Sequence, residues 1–161
     1  MTTVYLSLGG NIGNRRKNLE DALALIEANC GKLLAVSSFY ETEPWGFQSE
    51  NAFLNIAAKL RTRLNAAEFH NEIQKIEILS GRKRNTNAGY ADRTIDIDIL
   101  YFGKLNMSSQ NLTIPHPRIA ERKFVLIPLL EIAEMAGNKT LTGKVKAMLK
   151  KCNDNTAIKK V

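Results

Sequence analysis

Two acidic residues, Asp96 and Asp98, are the clearest candidates for chemistry in this chain of 161 residues. They alternate with Ile95, Ile97 and Ile99, so in a strand the isoleucines share one face and the carboxylates the other, roughly 7 Å apart. Two unpaired anions are costly to bury, so the pair must face solvent, bind cations or be neutralised by arginine. Taken alone, the pattern fits a solvated strand face as well as a Mg²⁺ site built on oxygen ligands.

The loop before this strand favours the metal site, because it carries Arg82, Lys83, Arg84 and finally Arg93. Metals held by carboxylates would neutralise phosphate charge from one side. Guanidinium groups would stabilise the charge that develops during phosphoryl transfer. We therefore predict a polyphosphate site, with the loop over residues 82–92 as a lid that closes over the substrate.

One histidine is a further candidate, since His116 lies between Pro115 and Pro117. The prolines fix the local backbone, and the imidazole fits either a structural hydrogen bond or a phosphate or nucleotide contact. Cys30 and Cys152 are far apart in the sequence and are expected to be reduced residues without a catalytic role.

The elements that must position these residues alternate in a simple order. Hydrophobic periodicity and turn residues predict strands over residues 4–8, 33–40, 53–60 and 93–101, with helices over 14–28 and from an Asn65 cap to Gly81. The order βαββαβ is typical of the ferredoxin-like split βαβ fold, an α+β antiparallel sheet with helices packed on one face. Two further helices, 124–135 and 141–151, are predicted as a C-terminal helical extension.

Length and charge bound the rest. We expect one domain over residues 1–161, with the tail beyond about residue 152 frayed. The net charge of +7 favours anionic partners. The N-terminal residues have no basic leader followed by an apolar stretch, so we expect a cytoplasmic protein without a membrane or an obligate protein partner.

The sequence resembles the 6-hydroxymethyl-7,8-dihydropterin pyrophosphokinase family, an enzyme family of folate biosynthesis, over about residues 4–133. The segments that carry the resemblance occur in the family's order, and the fourth of them is the most specific. They are Ser37-Ser38-Phe39-Tyr40-Glu41-Thr42-Glu43-Pro44-Trp45-Gly46, Phe53-Leu54-Asn55, Gly81-Arg82, Arg93-Thr94-Ile95-Asp96-Ile97-Asp98-Ile99-Leu100 and Ile114-Pro115-His116-Pro117-Arg118.

The resemblance implies a reaction in which pyrophosphate passes from ATP to the pterin hydroxymethyl group, AMP is released, and two Mg²⁺ ions take part. By the same match Arg82, Arg93, Asp96 and Asp98 are catalytic, and the two aspartates hold the metals. The implied ATP contacts are Gln74, Glu77, Arg84, Ile99, Thr113, His116 and Arg122. The implied pterin contacts are Thr42, Pro44, Trp45, Gly46, Phe53, Asn55 and Phe124.

The chain departs from the family pattern at three places. The family's Trp-Gly-Pro before the last loop arginine is replaced by the sequence Gly89-Tyr90-Ala91-Asp92. Asn111 stands where some members have an arginine near ATP, and Pro117 where some have a tyrosine. These changes bear on nucleotide affinity more than on the reaction.

Two other functions fit parts of the sequence. A nucleic-acid-binding module of the ferredoxin-like fold would suit the basic charge, but the strands lack the run of aromatic residues typical of RNA-binding domains. A metal-dependent nuclease would also use an acidic pair. Its products would be cleaved nucleic acid, whereas a pyrophosphokinase releases AMP.

Overall fold

The computed structural model describes residues 1–44, 49–81 and 92–161. The strands are β1 (Thr2–Gly10), β2 (Lys32–Val36), β3 (Tyr40–Thr42), β4 (Phe53–Thr62), β5 (Asp96–Phe102), β6 (Met107–Ser108), β7 (Thr113–Ile114) and β8 (Ile158–Lys160). The helices are α1 (Arg15–Asn29), α2 (Ala66–Leu79), α3 (Lys123–Met135) and α4 (Lys139–Lys151), and a 3-10 turn spans Ile119–Glu121.

The main sheet has the predicted split βαβ topology. Its strands follow the order β5-β1-β4-β3-β8, and β2 also pairs with β4. Each of these pairings is antiparallel. The α+β prediction is therefore confirmed, and β5, which carries the acidic pair, lies at one edge of the sheet.

The sheet is covered on both faces, which corrects the prediction of helices on one face. Residues such as Leu6 in β1 and Ile97 in β5 pack with α1 and α2 in one core. Residues such as Tyr5 and Leu100, which point the other way, pack with α3 and α4 in a second core. The apolar positions of α3 include Leu126, and burying them is what places this helix against the second face.

The predicted strand over residues 33–40 is interrupted. β2 ends at Val36 and β3 begins at Tyr40. In between, the backbone N–H of Ser38 donates to the Glu131 carboxylate of α3 at 2.9 Å instead of to a neighbouring strand, and the Ser38 and Tyr40 hydroxyls donate to the same carboxylate. This side-chain network replaces the ladder at the break.

Two more boundaries differ from the predictions. The strand predicted over residues 93–101 begins at Asp96, because the Arg93 backbone is bonded to Asn11 in the turn after β1. The tail predicted to be frayed beyond about residue 152 instead returns to the sheet, where β8 pairs with β3.

The start and end signals of α2 are confirmed. Asn65 and Glu68 form a reciprocal capping box, and Gly81 follows the helix with a positive φ of 91°. Within the described ranges, no helix is long and apolar enough to cross a membrane.

Candidate active site

The acidic pair lies on β5 with the predicted geometry. Asp96 and Asp98 are half-buried and alternate with the buried Ile97 and Ile99, so both carboxylates share the face opposite the isoleucine row. Each carboxylate has a guanidinium group nearby. Arg93 Nη1 lies 3.1 Å from Asp96 Oδ2, and Arg122 Nη1 lies 3.5 Å from Asp98 Oδ2.

His116 is held beside the pair by its own backbone. Its N–H donates to the Leu100 carbonyl at 3.0 Å, which joins the segment after β7 to β5. The imidazole Nδ1 accepts the Arg118 amide at 3.1 Å, so the neutral ring carries its hydrogen on Nε2, which lies 3.9 Å from Asp98 Oδ1. Burial, together with the Arg122 charge, lowers the pKa of His116 to about 4 even though Asp96 opposes the shift. His116 is therefore a neutral donor at neutral pH.

The donor set suits a metal that takes only part of its ligands from protein. In the part of the chain that the structure describes, no three His, Cys, Asp or Glu side chains converge into a complete metal site. Two carboxylates on one strand face match Mg²⁺, which keeps waters and binds substrate phosphates rather than a full protein cage. Asp96 and Asp98 thus fit the predicted role, and the role itself stays a prediction.

Asn11, which is not among the predicted site residues, organises the backbone next to the pair. Its side-chain Oδ1 accepts the Arg93 backbone amide at 2.8 Å, and its backbone N–H donates to the Arg93 carbonyl at 2.9 Å. Its Nδ2 donates to Asp92 at 2.7 Å and to the Asn51 carbonyl at 3.1 Å. An asparagine after two glycines signals a turn, but partners that are 40 and 81 residues away are beyond what a turn motif can predict.

The predicted ATP contacts within the described residues lie on β5 or on segments that pack beside it. Glu77 of α2 is buried and accepts the Ile97 amide at 3.0 Å, and Gln74 is half-buried one turn earlier. Thr113 lies in β7, next to the segment that holds His116. The Ile99 side chain is in the first core, so any contact of this residue with a nucleotide would come from its backbone.

The predicted pterin contacts in the described part of the chain occupy adjacent strands and the start of α3. Asn55 is buried in β4, and its Nδ2 donates to the Thr42 hydroxyl of β3 at 2.9 Å. Phe53 pairs with Thr42 in the same ladder, and Pro44 is half-buried just after β3. Phe124 is half-buried in α3, with the Arg122 guanidinium 5.8 Å from its ring centre.

Arg15 holds the start of α1 against this region. Its guanidinium pairs with Glu41 of β3 at 2.7 Å and donates to the Ala52 carbonyl at 3.0 Å, directly before Phe53. The predicted residues Trp45, Gly46, Arg82 and Arg84 lie outside the described residues, as does Tyr90 and with it most of the predicted lid.

The amino-acid sequence is similar to those of known enzymes. The family model described as 7,8-dihydro-6-hydroxymethylpterin-pyrophosphokinase (HPPK) matches residues 5–134. The 2-amino-4-hydroxy-6-hydroxymethyldihydropteridine pyrophosphokinase of Porphyromonas gingivalis is 44% identical over 135 residues, which are 83% of this chain and 92% of that protein. The Bacillus subtilis protein of the same name is 43% identical over 131 residues, covering 81% of this chain and 77% of its own length.

Structural comparison agrees on the fold. The crystal structure of the HPPK-DHPS of Plasmodium falciparum, wild type with SDX-DHP, superposes with a TM-score of 0.66 at 20% identity. The match covers 82% of this chain but 40% of that larger protein. At this identity the likeness is evidence for the fold alone.

Proposed function

Because the chain belongs to the 7,8-dihydro-6-hydroxymethylpterin-pyrophosphokinase family, we propose that it transfers pyrophosphate from ATP to the hydroxymethyl group of 6-hydroxymethyl-7,8-dihydropterin. It is an ATP-dependent pyrophosphokinase of folate biosynthesis. The structural observation that supports the proposal best is the pair Asp96 and Asp98 on an edge strand, each beside a guanidinium group.

The reaction exchanges one phosphorus–oxygen bond for another. The pterin hydroxymethyl oxygen attacks the β-phosphorus of ATP and loses its proton. The bond from the β-phosphorus to the oxygen that bridges to the α-phosphorus breaks, and AMP leaves with that oxygen. The products are AMP and the pterin diphosphate ester. Such a transfer relies on positioning and on electrostatic stabilisation of the phosphate oxygens more than on covalent catalysis by the protein.

Asp96 and Asp98 would hold the metal, and two Mg²⁺ ions are the stoichiometry that we propose. When bound, Mg²⁺ supplies positive charge that offsets the charge on the polyphosphate. The carboxylates supply hard oxygen ligands that are held at a fixed spacing by the strand.

Three guanidinium groups and one imidazole of the chain would act on the phosphates. The planar guanidinium groups of Arg93 and Arg122 would each donate two hydrogen bonds to phosphate oxygens. His116, kept neutral by the causes given above, would donate from Nε2 rather than bring a charge. Arg82 would add a further guanidinium group from the loop before β5. The other predicted ATP contacts would bind the rest of the nucleotide.

On the acceptor side, the buried Asn55 amide would hydrogen-bond the pterin ring, since its orientation is set by Thr42. The rings of Phe53 and Phe124 would supply flat apolar surfaces for it. We also propose that residues 1–161 form one pyrophosphokinase domain, which is supported by the presence of β1 and β8 in one sheet. A cytoplasmic location stays a prediction.

The metal assignment is tested by titrating Mg²⁺ calorimetrically into the protein with a non-hydrolysable ATP analogue. We expect Asp96→Asn and Asp98→Asn each to weaken Mg²⁺ binding by roughly 100-fold and to abolish transfer, because each removes an anionic ligand. The matched control is Asp21→Asn on α1, where the carboxylate pairs with Lys17 at the surface.

Asp96→Asn and Asp98→Asn should both keep the wild-type unfolding temperature within a few degrees, because the isoleucine row packs the opposite face of β5. Unchanged Mg²⁺ affinity in both site variants, together with Mg²⁺-dependent transfer, would refute the assignment.

A further inference from the structure

The segment after α4, residues 152–161, lies beyond the stretch that the family model matches, which is residues 5–134. It nevertheless contacts two elements that carry proposed pterin contacts. Near its start Asp154 contacts the first residue of α3, and near its end β8 pairs with β3.

Asp154 caps α3 from a distant part of the sequence. The helix begins at Lys123 and has Arg122 at its N-cap position, where the side chain cannot accept a hydrogen bond. Asp154 Oδ2 accepts the Lys123 amide at 3.0 Å, and its Oδ1 accepts the Thr156 amide at 2.9 Å. A carboxylate at this position satisfies an open helix amide and interacts favourably with the helix dipole.

The capped residue lies between two residues of the proposed site. On one side of Lys123 is Arg122, whose Nη1 lies 3.5 Å from Asp98. On the other side is Phe124, whose ring lies under the Arg122 guanidinium at 5.8 Å. A shift of the Lys123 backbone would therefore move both side chains.

The far end of the same segment pairs with β3, the strand that carries Thr42. Ile158 lies opposite Thr42 in the β3–β8 ladder, and the Val161 amide donates to the Phe39 carbonyl at 2.9 Å. Thr42 accepts the hydrogen bond that orients Asn55. One short segment thus contacts both the start of α3 and the strand beside Asn55.

We propose that Asp154 is a positioning residue for pterin binding, and that residues 154–160 form a brace that sets Phe124 relative to Thr42 and Asn55. The inference rests on the proposed function. The brace acts through Phe124 and Asn55, and Asp154 itself does not touch the substrate.

The test is a graded series of full-length variants, Asp154→Asn, Asp154→Ala and Asp154→Lys, with Asn155→Ala as the exposed neighbouring control. Pterin affinity is measured by titration calorimetry with a non-hydrolysable ATP analogue present. Asparagine keeps one acceptor oxygen, which can cap the Lys123 amide but cannot also accept the Thr156 amide. Asp154→Asn should therefore weaken pterin binding only about 2- to 3-fold, whereas alanine, which has no acceptor, should weaken it roughly 3- to 30-fold. Lysine should weaken it further, because its charge opposes the helix dipole.

A lower melting temperature across the series at constant pterin affinity would overturn the proposal, since Asp154 would then act on stability alone. Equal weakening in Asn155→Ala would overturn it as well. The wild-type release of AMP tests the proposed function separately, so the two ideas fail by different results.

Discussion

The close approach of Gly9 to Asn55 yields a prediction that can be worked from distances. A Cβ placed on Gly9 would lie 2.5 Å from Asn55 Oδ1, and ordinary contact needs at least 3.4 Å. In Gly9→Ala the Asn55 side chain must therefore move by about 0.9 Å, the difference between these distances. That movement disrupts the 2.9 Å hydrogen bond from Asn55 Nδ2 to Thr42.

The expected loss follows from the tolerance of a positioned polar group. Misplacing such a group by about 1 Å can cost roughly 100-fold in rate, because functional geometry is held to about 0.5 Å. We expect Gly9→Ala to lower kcat/KM for the pterin by roughly 10- to 100-fold. Gly9 also pairs with Asp96 in the sheet, but the three atoms nearest to the new Cβ belong to Asn55 and Leu54. The KM for ATP should therefore change by less than about twofold.

Steady-state kinetics with each substrate varied in turn measures this split, and two other glycines supply controls. In Gly10→Ala the new Cβ would lie 2.2 Å from the Thr94 carbonyl oxygen, a backbone atom, so we expect a loss of overall stability. In Gly143→Ala on α4 the Cβ meets no described atom within 4 Å, so kinetics should be unchanged and stability should rise by up to about 1 kcal/mol. Unchanged pterin kinetics in Gly9→Ala would refute the placement of Asn55 at the pterin.

Three further variants test other contacts in and around the site. Arg93→Ala should lower kcat by roughly 100-fold or more while weakening equilibrium ATP binding much less, because a guanidinium group that acts on developing charge contributes mainly in the transition state; equal losses in kcat and ATP affinity would indicate a simple binding role. Asp92→Ala removes the acceptor of the Asn11 and Asn51 side-chain amides at 2.7 and 3.3 Å, and we expect a severalfold lower kcat from a less fixed Arg93 backbone, whereas wild-type rates would show that Asn11 alone is sufficient. Glu131→Gln should destabilise the protein by about 1–3 kcal/mol at pH 7, measured by urea unfolding, because hydrogen bonds to a charged acceptor are lost. Burial raises the pKa of Glu131, but hydrogen bonds from Tyr40 and Ser38 outweigh this effect and leave the pKa below its usual value. The stability that ionised Glu131 contributes is therefore present above the unfolded pKa of about 4.3 and is lost as the pH falls through the folded pKa. The difference between wild type and Glu131→Gln should therefore shrink towards pH 3, and a constant difference would contradict the assignment.

The sequence was sufficient for the features that depend on local periodicity. The alternation around Asp96 and Asp98 predicts which residues share a strand face, because side chains in a strand alternate strictly. The Asn65 and Glu68 capping box and the Gly81 stop are equally local, and the structure confirms them. The element order then suffices for the topology of the sheet.

The features that the sequence did not predict depend on partners far away in the chain. The strand breaks at Ser38 because the Ser38 amide donates to Glu131, which lies 93 residues away in the sequence. Asn11 reaches Asp92 across 81 residues, and Asp154 caps a helix that begins 31 residues earlier. A polar residue in a turn or a tail shows that a hydrogen bond is needed, but it does not show which distant segment supplies the partner.

The roles of the individual site residues rest on the family resemblance and on the geometry together. Pyrophosphate transfer from ATP differs from phosphate transfer in its nucleotide product, which is AMP and not ADP. The protein is incubated with ATP, Mg²⁺ and 6-hydroxymethyl-7,8-dihydropterin, and the nucleotides are separated by chromatography. We expect AMP in a one-to-one ratio with the pterin diphosphate, and formation of ADP instead would refute pyrophosphate transfer.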